Sequence, residues 1–433
     1  MEIEKSDLHS LLSSNVLDST DLLTKIIQNF PEAISFAPGA PFSDFFDHLD
    51  ISDYFDRYVA YIMKERGISL AQARQWLYQY GSSQGQINEL IAKALLRNEG
   101  ITIEPKAIVT TVGCQEGMLL ILRTLSASSK DILVVVQPCF IGIIGAAQFL
   151  NMEVQAINEN EGGLDMNRLR FLCQTARLQR KRVRALYVAP DFSNPSGTLL
   201  DLDTRNKLLQ LAEEEDFLIL EDSTYGFTAI KDTAPPTLKK LDKYARVVFL
   251  GTFSKTYLPA TRVGFVVADQ LVNNSGKIRF LAEELAAIKT VVTVNTSPIC
   301  QAIIGGILLE NDSFFAPIIQ EKIDLYQRNL RLLLDALEYH LHSKAQFPYE
   351  VSWNKPSGGF FVKMSLPVKV SKVELDISAR QYGVLWTPMS SFYIDDIGSN
   401  EIRLSCSYLK PAEIDEGIRR LASFLQDPCV NRS

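Results

Sequence analysis

Cysteine and histidine are both scarce in this 433-residue chain, which holds six of the first and four of the second. The cysteines (Cys114, Cys139, Cys173, Cys300, Cys406 and Cys429) are scattered and form no C-x-x-C pair. That spacing excludes a zinc ribbon and a disulfide framework, and it fits the reduced thiols of a cytoplasmic protein. Long apolar runs are missing too. Ala302 to Leu309 is apolar but spans only eight residues, far short of a membrane crossing. The first ten residues, MEIEKSDLHS, are polar and lack a signal core. No Lys/Arg block interrupts a net charge of −7, so a nucleic-acid partner is excluded. There is no internal repeat and no low-complexity tract.

What remains is ordinary globular material, 46% hydrophobic and 22% charged. The length suits two domains, or one large α/β unit with an appendage. Leu22, Leu23, Ile26 and Ile27 give the first 33 or so residues a helical spacing, and the Pro and Gly of Ile34 to Asp50 fix a turn. Residues 51 to 99 read as helical, with a break at Tyr80-Gly81-Ser82-Ser83 and a further helix from about Gln86 to Arg97. Beyond them strands and helices alternate. Strands are expected at Ile108–Val112, Ile132–Val136, Val154–Ile157, Arg184–Ala189, Leu218–Glu221 and Val247–Leu250. Helices fall between them at Gln115–Leu125, Ile141–Phe149 and Thr204–Glu214. This alternation predicts a mostly parallel sheet covered on both faces. Ser275–Gln301 and Asp312–His342 read as long helices. Tyr349–Trp353, Gly359–Lys363, Val384–Trp386 and Glu401–Ser405 read as strands of a smaller α+β unit.

The stretch from Gly251 to Phe265, GTFSKTYLPATRVGF, follows a buried strand and places Lys255 between hydroxyl-bearing residues. Thr252 and Ser254 precede the lysine and Arg262 lies seven residues on. Desolvation at a strand end lowers a lysine's pKa, and the neutral amine attacks aldehydes to form a Schiff base. The hydroxyls and the arginine fork suit a phosphate dianion. An aldehyde joined to a phosphate describes pyridoxal 5′-phosphate. An ordinary surface loop carrying Lys and Arg would explain the same residues, so the partners decide.

Parallel α/β sheets bind ligands at the carboxyl ends of their strands. After Val112, Gly113-Cys114-Gln115-Glu116 opens a helix whose first amides suit an anion, although a plain strand-to-helix turn reads the same way. After Ala189 comes PDFSNPSG with Asn194, in itself a loop signal. Asp222 stands at the buried end of its strand, followed by Ser223-Thr224-Tyr225. A buried Asp needs a cationic partner or strong hydrogen bonds, and a protonated pyridinium nitrogen is such a partner.

The ordered set TVGCQEG, APDFSNPSG, LEDSTYGF, FSKTYLPATRVGF and IRLSCSY resembles the fold-type I, class I/II aminotransferases. The nearest resemblance is to the branch of α-aminoadipate, kynurenine and related multisubstrate aminotransferases, which ISFAPGAPFSDFF also matches. It implies an α/β fold in which a large domain with a mostly parallel seven-stranded sheet is joined by a smaller α+β domain. On this basis residues 1–50 cover the active site, 51–320 form the large cofactor-binding domain and 321–433 the small one. The cofactor implied is pyridoxal 5′-phosphate. Lys255 would carry it as a Schiff base and then move the Cα proton, and Asp222 would keep the ring nitrogen protonated. Asn194 and Tyr225 would bond the ring oxygen, and Phe140 would stack on the ring. Cys114, Gln115, Thr252, Ser254 and Arg262 would cradle the phosphate. Tyr80 would reach the neighbouring subunit's phosphate, which makes the enzyme a homodimer with shared active sites. Arg403 would bind the substrate's α-carboxylate through its fork, with Asn194 and Gly39 beside it.

This chain departs from the family pattern at several positions. Cys114 replaces the usual Ser and Phe140 the stacking Tyr. Pro388-Met389 stands for Pro-Gly, Cys406 for an aromatic, and Pro38-Gly39 for Gly-Gly. The segment Gly39 to Asp50 carries Asp44, Asp47, His48 and Asp50. It reads either as a solvated acidic loop or as a pocket for a cationic side chain, with His48 as an extra acid or base. The first function expected is an aminotransferase that moves the amino group of a free L-amino acid to a 2-oxo acid through a Cα carbanion. The alternative is an elimination or cyclase enzyme making a cyclic arginine-derived amino acid of the capreomycidine or enduracididine type. A non-catalytic transcriptional relative is disfavoured by the charge, by the intact Lys255 and by how soon the first motif begins.

Overall fold

The computed structural model describes residues 3–14, 17, 25–47, 49–160, 163–230, 233–310, 312–314, 316–343, 350–395 and 397–427. Leu22, Leu23, His48 and Tyr349 lie outside these ranges. Seven strands form the central sheet: β1 (Ile108–Val112), β2 (Asp131–Gln137), β3 (Glu153–Asn158), β4 (Arg182–Val188), β5 (Leu218–Ser223), β6 (Val247–Thr252) and β7 (Val263–Val267). Their order is β1-β7-β6-β5-β4-β2-β3. β7 runs antiparallel to β1 and β6, and the other pairs are parallel. The strand β2, DILVVVQ, which lies between β4 and β3, is buried at every position. Its residues alternate between the two faces. Leu133 and Val135 pack with Leu120, Ile143 and Leu285, while Ile132, Val134 and Val136 pack with Leu169, Leu172 and Leu208. Both faces are therefore covered by helices, which is why the strands are continuously apolar.

Two expected elements need correction. The long helix read over Ser275–Gln301 is a hairpin, two helices and a break. Strands Leu271–Asn274 and Lys277–Phe280 pair antiparallel around Ser275 and Gly276, whose φ values are +53° and +87°. Positive φ at both central residues suits the twist of a two-residue hairpin. Helices then run over Leu281–Lys289 and Pro298–Glu310. They are separated by the β-branched run after Lys289, which loses side-chain freedom in a helix, and Pro298 suits a helix start. The strand read at Val384–Trp386 does not join the smaller sheet. Val384–Leu385 pairs in parallel with Ile34–Ser35. Among the elements that went unread are the antiparallel β7, the helix Met166–Leu178, capped by the Asp165 carboxylate on Arg168 N, and the helix Pro411–Leu425.

The smaller sheet comprises β8 (Ser352–Trp353), β9 (Phe361–Ser365), β10 (Thr387–Pro388) and β11 (Glu401–Ser405) in the antiparallel order β8-β9-β11-β10. Ile26 and Phe36 share its core with Leu333, Val362, Trp386 and Ile418. The N-terminal segment thus packs with the C-terminal part of the chain. The helix Ala316–Leu337 spans both regions. Ile319 packs with the first helices and β7, whereas Leu330, Leu333 and Leu337 belong to the C-terminal core. Among the described residues no helix is long and apolar enough to cross a membrane.

Candidate active site

A cavity of about 350 Å³ opens where β1, β2, β4, β5 and β6 end, within the range of small-molecule sites. Asp222, the fifth residue of β5, is buried and lines it. Its carboxylate accepts from Tyr187 Oη at 2.6 Å and from Thr224 Oγ1 at 2.5 Å. Burial pushes its pKa up, and these two bonds together with the nearby Lys255 hold it down. The result is an acceptor at the cavity wall with no arginine or lysine ion pair among the described residues.

Lys255 follows β6, and its Nζ donates to the Gly39 carbonyl at 2.8 Å. Its pKa is lowered to about 8, first by burial and then by Arg403 and Arg262, against the pull of Asp222. Much of this amine is neutral near pH 8, as a nucleophile toward an aldehyde requires. Gly39 lies against Phe361; a Cβ there would stand 2.5 Å from the ring, so the segment approaches this closely only as glycine.

At the other end of the cavity, the helix Gly113–Leu125 (α1) presents its N-terminus between Arg262 and Ser254. Arg262 Nη1 lies 3.3 Å from Ser254 Oγ. Gly113 has φ +68°, and a Cβ on it would meet Arg262 Nη2 at 2.5 Å. The glycine therefore lets the guanidinium sit over the helix's free amides. Thr252 Oγ1 accepts from Ser254 N at 3.1 Å, and Gln115 bonds the Gly142 carbonyl. A positive helix end, a guanidinium without a carboxylate partner among the described residues, and two hydroxyls together suit a phosphate.

Arg403, in β11, is buried between two rings, with Phe361 and Phe392 at 4.4 and 5.1 Å from its Cζ. Its Nη1 donates to Asn194 Oδ1 at 2.6 Å and its Nη2 to the Ala37 carbonyl at 2.7 Å. Burial lowers its pKa to about 10, which leaves it charged at neutral pH. Its Nε is buried with no hydrogen-bond partner. Asn194 also bonds the Tyr225 hydroxyl, so one amide ties the guanidinium to the phenol.

The cavity thus gathers Gly39, Cys114, Gln115, Phe140, Asn194, Asp222, Tyr225, Thr252, Ser254, Lys255, Arg262 and Arg403 from seven parts of the sequence. Asp44 is not brought there, and Tyr80, expected at the neighbouring subunit's site, lies away from this chain's own cavity. Tyr80 is 84% exposed on an outer loop. Asp44 is exposed, and its carboxylate bonds Ser43 Oγ. His48 lies outside the described residues. Asp47 is exposed, and Asp50 caps the helix Ile51–Arg66 through Ser52 N and Asp53 N. Sequence reading missed Tyr187, Thr224, Ile141 and Phe392, which also line the cavity. Tyr187 had a signal: a phenol inside the buried run RVRALYV must bond something. Phe392 had none.

Residues 52–421 match the family Aminotransferase class I and II, and the chain belongs to that family. It is 42% identical over 98% of its length, and 95% of the relative's, to the (S)-3,5-dihydroxyphenylglycine transaminase of Amycolatopsis orientalis. It is 27% identical to the 2-aminoadipate transaminase of Thermus thermophilus over 93% of this chain and 92% of that one. Among solved structures, the kynurenine aminotransferase of Pyrococcus horikoshii superposes with a TM-score of 0.81 at 27% identity, covering 98% of this chain and 96% of that one. The α-aminoadipate aminotransferase of Thermus thermophilus, solved with N-(5′-phosphopyridoxyl)-L-leucine, gives 0.74 at 26% identity over 93% and 94%. The chain is a fold-type I, pyridoxal 5′-phosphate-dependent aminotransferase acting on amino acids. The acidic floor, buried amine and phosphate-suited end described above fit that cofactor.

Proposed function

We propose that this aminotransferase takes a free L-amino acid with an uncharged aromatic side chain close to Cα, as in arylglycines, and passes its amino group to a 2-oxo acid. The observation that carries the reading is the cavity wall beside Arg403. Phe140, Ile141 and Phe392 line it, while the described carboxylates of the 44–50 segment stay outside. The 42% relative named for a dihydroxyphenylglycine points the same way. The cyclase alternative rested on the departures at Phe140 and Met389 together with that acidic segment, and the cavity takes no described carboxylate from the segment.

Bound here, pyridoxal 5′-phosphate supplies an aldehyde that condenses with amines and a ring that withdraws electrons. Lys255 holds the cofactor and then moves the proton of the substrate's Cα. Asp222 would hold the ring nitrogen, Asn194 and Tyr225 the ring oxygen, and Phe140 would pack on the ring. Cys114, Gln115, Thr252, Ser254 and Arg262 hold the phosphate, with Tyr80 of the partner subunit. Arg403 orients the α-carboxylate, its planar face fixed by two rings. A homodimer is supported by exposed apolar groups, including Tyr78, Tyr80, Val291 and Ile299, on two stretches of chain tied near their ends by the bond from Gln86 N to the Gln301 side chain. Such surface suits a partner. Cytoplasmic residence is supported by the free state of the described cysteines.

The test is a half-reaction: holoenzyme mixed with single amino acids, with the cofactor spectrum and the product mass followed together. Conversion to the amine form with release of the aryl 2-oxo acid supports the reading. Return of the starting spectrum with an altered amino acid would replace it with elimination.

A further inference from the structure

Asp222 is held from two sides by hydroxyls of its own chain, and one of them comes from a different strand. Tyr187, the sixth residue of β4, is 1% exposed and lines the cavity. Its Oη lies 2.6 Å from Asp222 Oδ2 and Thr224 Oγ1 lies 2.5 Å from Oδ1. A strand pairing sets this geometry, because β4 and β5 are parallel with Tyr187 opposite Leu220 and Val188 opposite Glu221. Each carboxylate oxygen therefore has one protein donor and keeps a further lone pair for a donor from the cavity.

We infer that Tyr187 and Thr224 are positioning residues that fix the Asp222 carboxylate and keep it the weaker base of the pair it makes with the cofactor's ring nitrogen. The inference rests on Asp222 meeting that nitrogen. A buried carboxylate is a strong base, because burial penalises its charge. Left alone it would take the proton, leaving a neutral acid beside a neutral ring and a weaker electron sink. Two donated hydrogen bonds favour the charged carboxylate and leave the proton on nitrogen. Of the other titratable groups around Asp222, Lys255 favours its charge, whereas Cys114 and Tyr225 do not supply positive charge. Desolvation raises the Tyr187 phenol well above its ordinary value, and the adjacent carboxylate raises it further. Tyr187 therefore stays a donor throughout the working pH range. Losing one such bond to a charged acceptor should raise Asp222's proton affinity about ten- to a hundred-fold.

The experiment loads the full-length enzyme with pyridoxal 5′-phosphate labelled with ¹⁵N in the ring and reads the nitrogen's chemical shift between pH 6 and 9. In the unaltered enzyme the shift should be that of a protonated pyridinium throughout. Tyr187→Phe, which keeps the ring and removes only the hydroxyl, should move the shift toward neutral pyridine. Thr224→Val should do the same from the other oxygen, and Thr224→Ser should restore the original value. Melting temperature checks that each variant is folded; if Tyr187→Phe does not load, the Thr224 pair decides. A pyridinium shift unchanged in both Tyr187→Phe and Thr224→Val would overturn the inference while leaving Asp222's role intact. A neutral nitrogen already in the unaltered enzyme would instead overturn the assignment of Asp222 itself.

Discussion

The amine of Lys255 donates to the carbonyl of Gly39, 216 residues earlier in the chain, at 2.8 Å. The next carbonyl but one, that of Ala37, receives Arg403 at 2.7 Å. One extended segment therefore satisfies both cations that the proposed chemistry needs, and it lies across the cavity they share. Because the segment's backbone does this, residues 37–39 are tied to the site through main-chain atoms, and Gly39 allows the close approach to Phe361.

Lys255 should set the pH dependence of cofactor loading. Burial and the arginines Arg403 and Arg262 lower its pKa to about 8, so the nucleophilic neutral form grows as pH rises through 8. The rate at which cofactor-free protein acquires the absorbance of lysine-bound pyridoxal phosphate should rise to a plateau above about pH 9. A rate still climbing at pH 10, as for an ordinary lysine, would show that the environment does not act on the amine. Lys255→Ala should never acquire the absorbance.

Much of this was legible in the chain. The six parallel strands are apolar runs ended by Gly, Pro or polar residues, so their existence followed from composition alone. Lys255 and Asp222 could be named from their own surroundings, a lysine among hydroxyls and an arginine and a carboxylate at a buried strand end, whereas Asn194 and Arg403 were named through the resemblance of the ordered motifs. The reading lost track where burial depends on partners distant in sequence. Val263–Val267 looks like the tail of a loop, and only its pairing with β1 and β6 makes it a strand. Asp44, Asp47 and Asp50 carry charge that suits a pocket or a solvated turn equally well. Which of these holds depends on the exit angle at Pro41-Phe42, where Phe42 packs with Phe360 and Tyr326, and no local pattern encodes that.

Removing the Asp222 carboxylate should cost rate. Asp222→Ala strips the ring nitrogen of its partner and leaves the Tyr187 and Thr224 hydroxyls without an acceptor. Loss of one member of a buried charge pair is worth about 3–5 kcal/mol, which is roughly two to nearly four powers of ten in kcat. Asp222→Glu should be milder. Near-normal turnover in Asp222→Ala would make the aspartate a packing residue.

Glu221, one residue before Asp222, should make stability fall as pH rises. It is fully buried and accepts from Leu238 N and Lys239 N, both at 2.7 Å. Burial, helped by Asp191, pushes its pKa up to about 8. Between about pH 4.5 and 8 the unfolded chain then releases a proton that the folded one keeps, so this group's contribution to stability declines over that window. Glu221→Gln should remove the decline. The melting-temperature difference between unaltered protein and variant should shrink, or change sign, from pH 5.5 to 8.5. A pH-independent difference would mean that Glu221 is ionised in the fold.

The substrate reading stands or falls on a panel of amino acids and four substitutions. Phe140, Ile141 and Phe392 offer an aromatic side chain contact without charge. Asp44 and Asp47 are exposed, and Asp50 is spent on a helix start. Asp44→Asn and Asp47→Asn should therefore leave the order of preference among aromatic, acidic and basic amino acids unchanged. Asp50→Ala should cost about 1 kcal/mol of stability through the lost cap and also leave that order alone. Arg403→Lys should behave differently. It keeps the charge and loses the fork, so KM should rise for every substrate by about one to two powers of ten, the worth of a hydrogen bond to a charged group. Half-reaction rates and apparent affinities, read from the cofactor spectrum across the panel, check all four together. If basic amino acids led the panel and Asp44→Asn weakened them selectively, the acidic segment would have to reach the substrate. The aromatic assignment would then give way to a pocket for a cation.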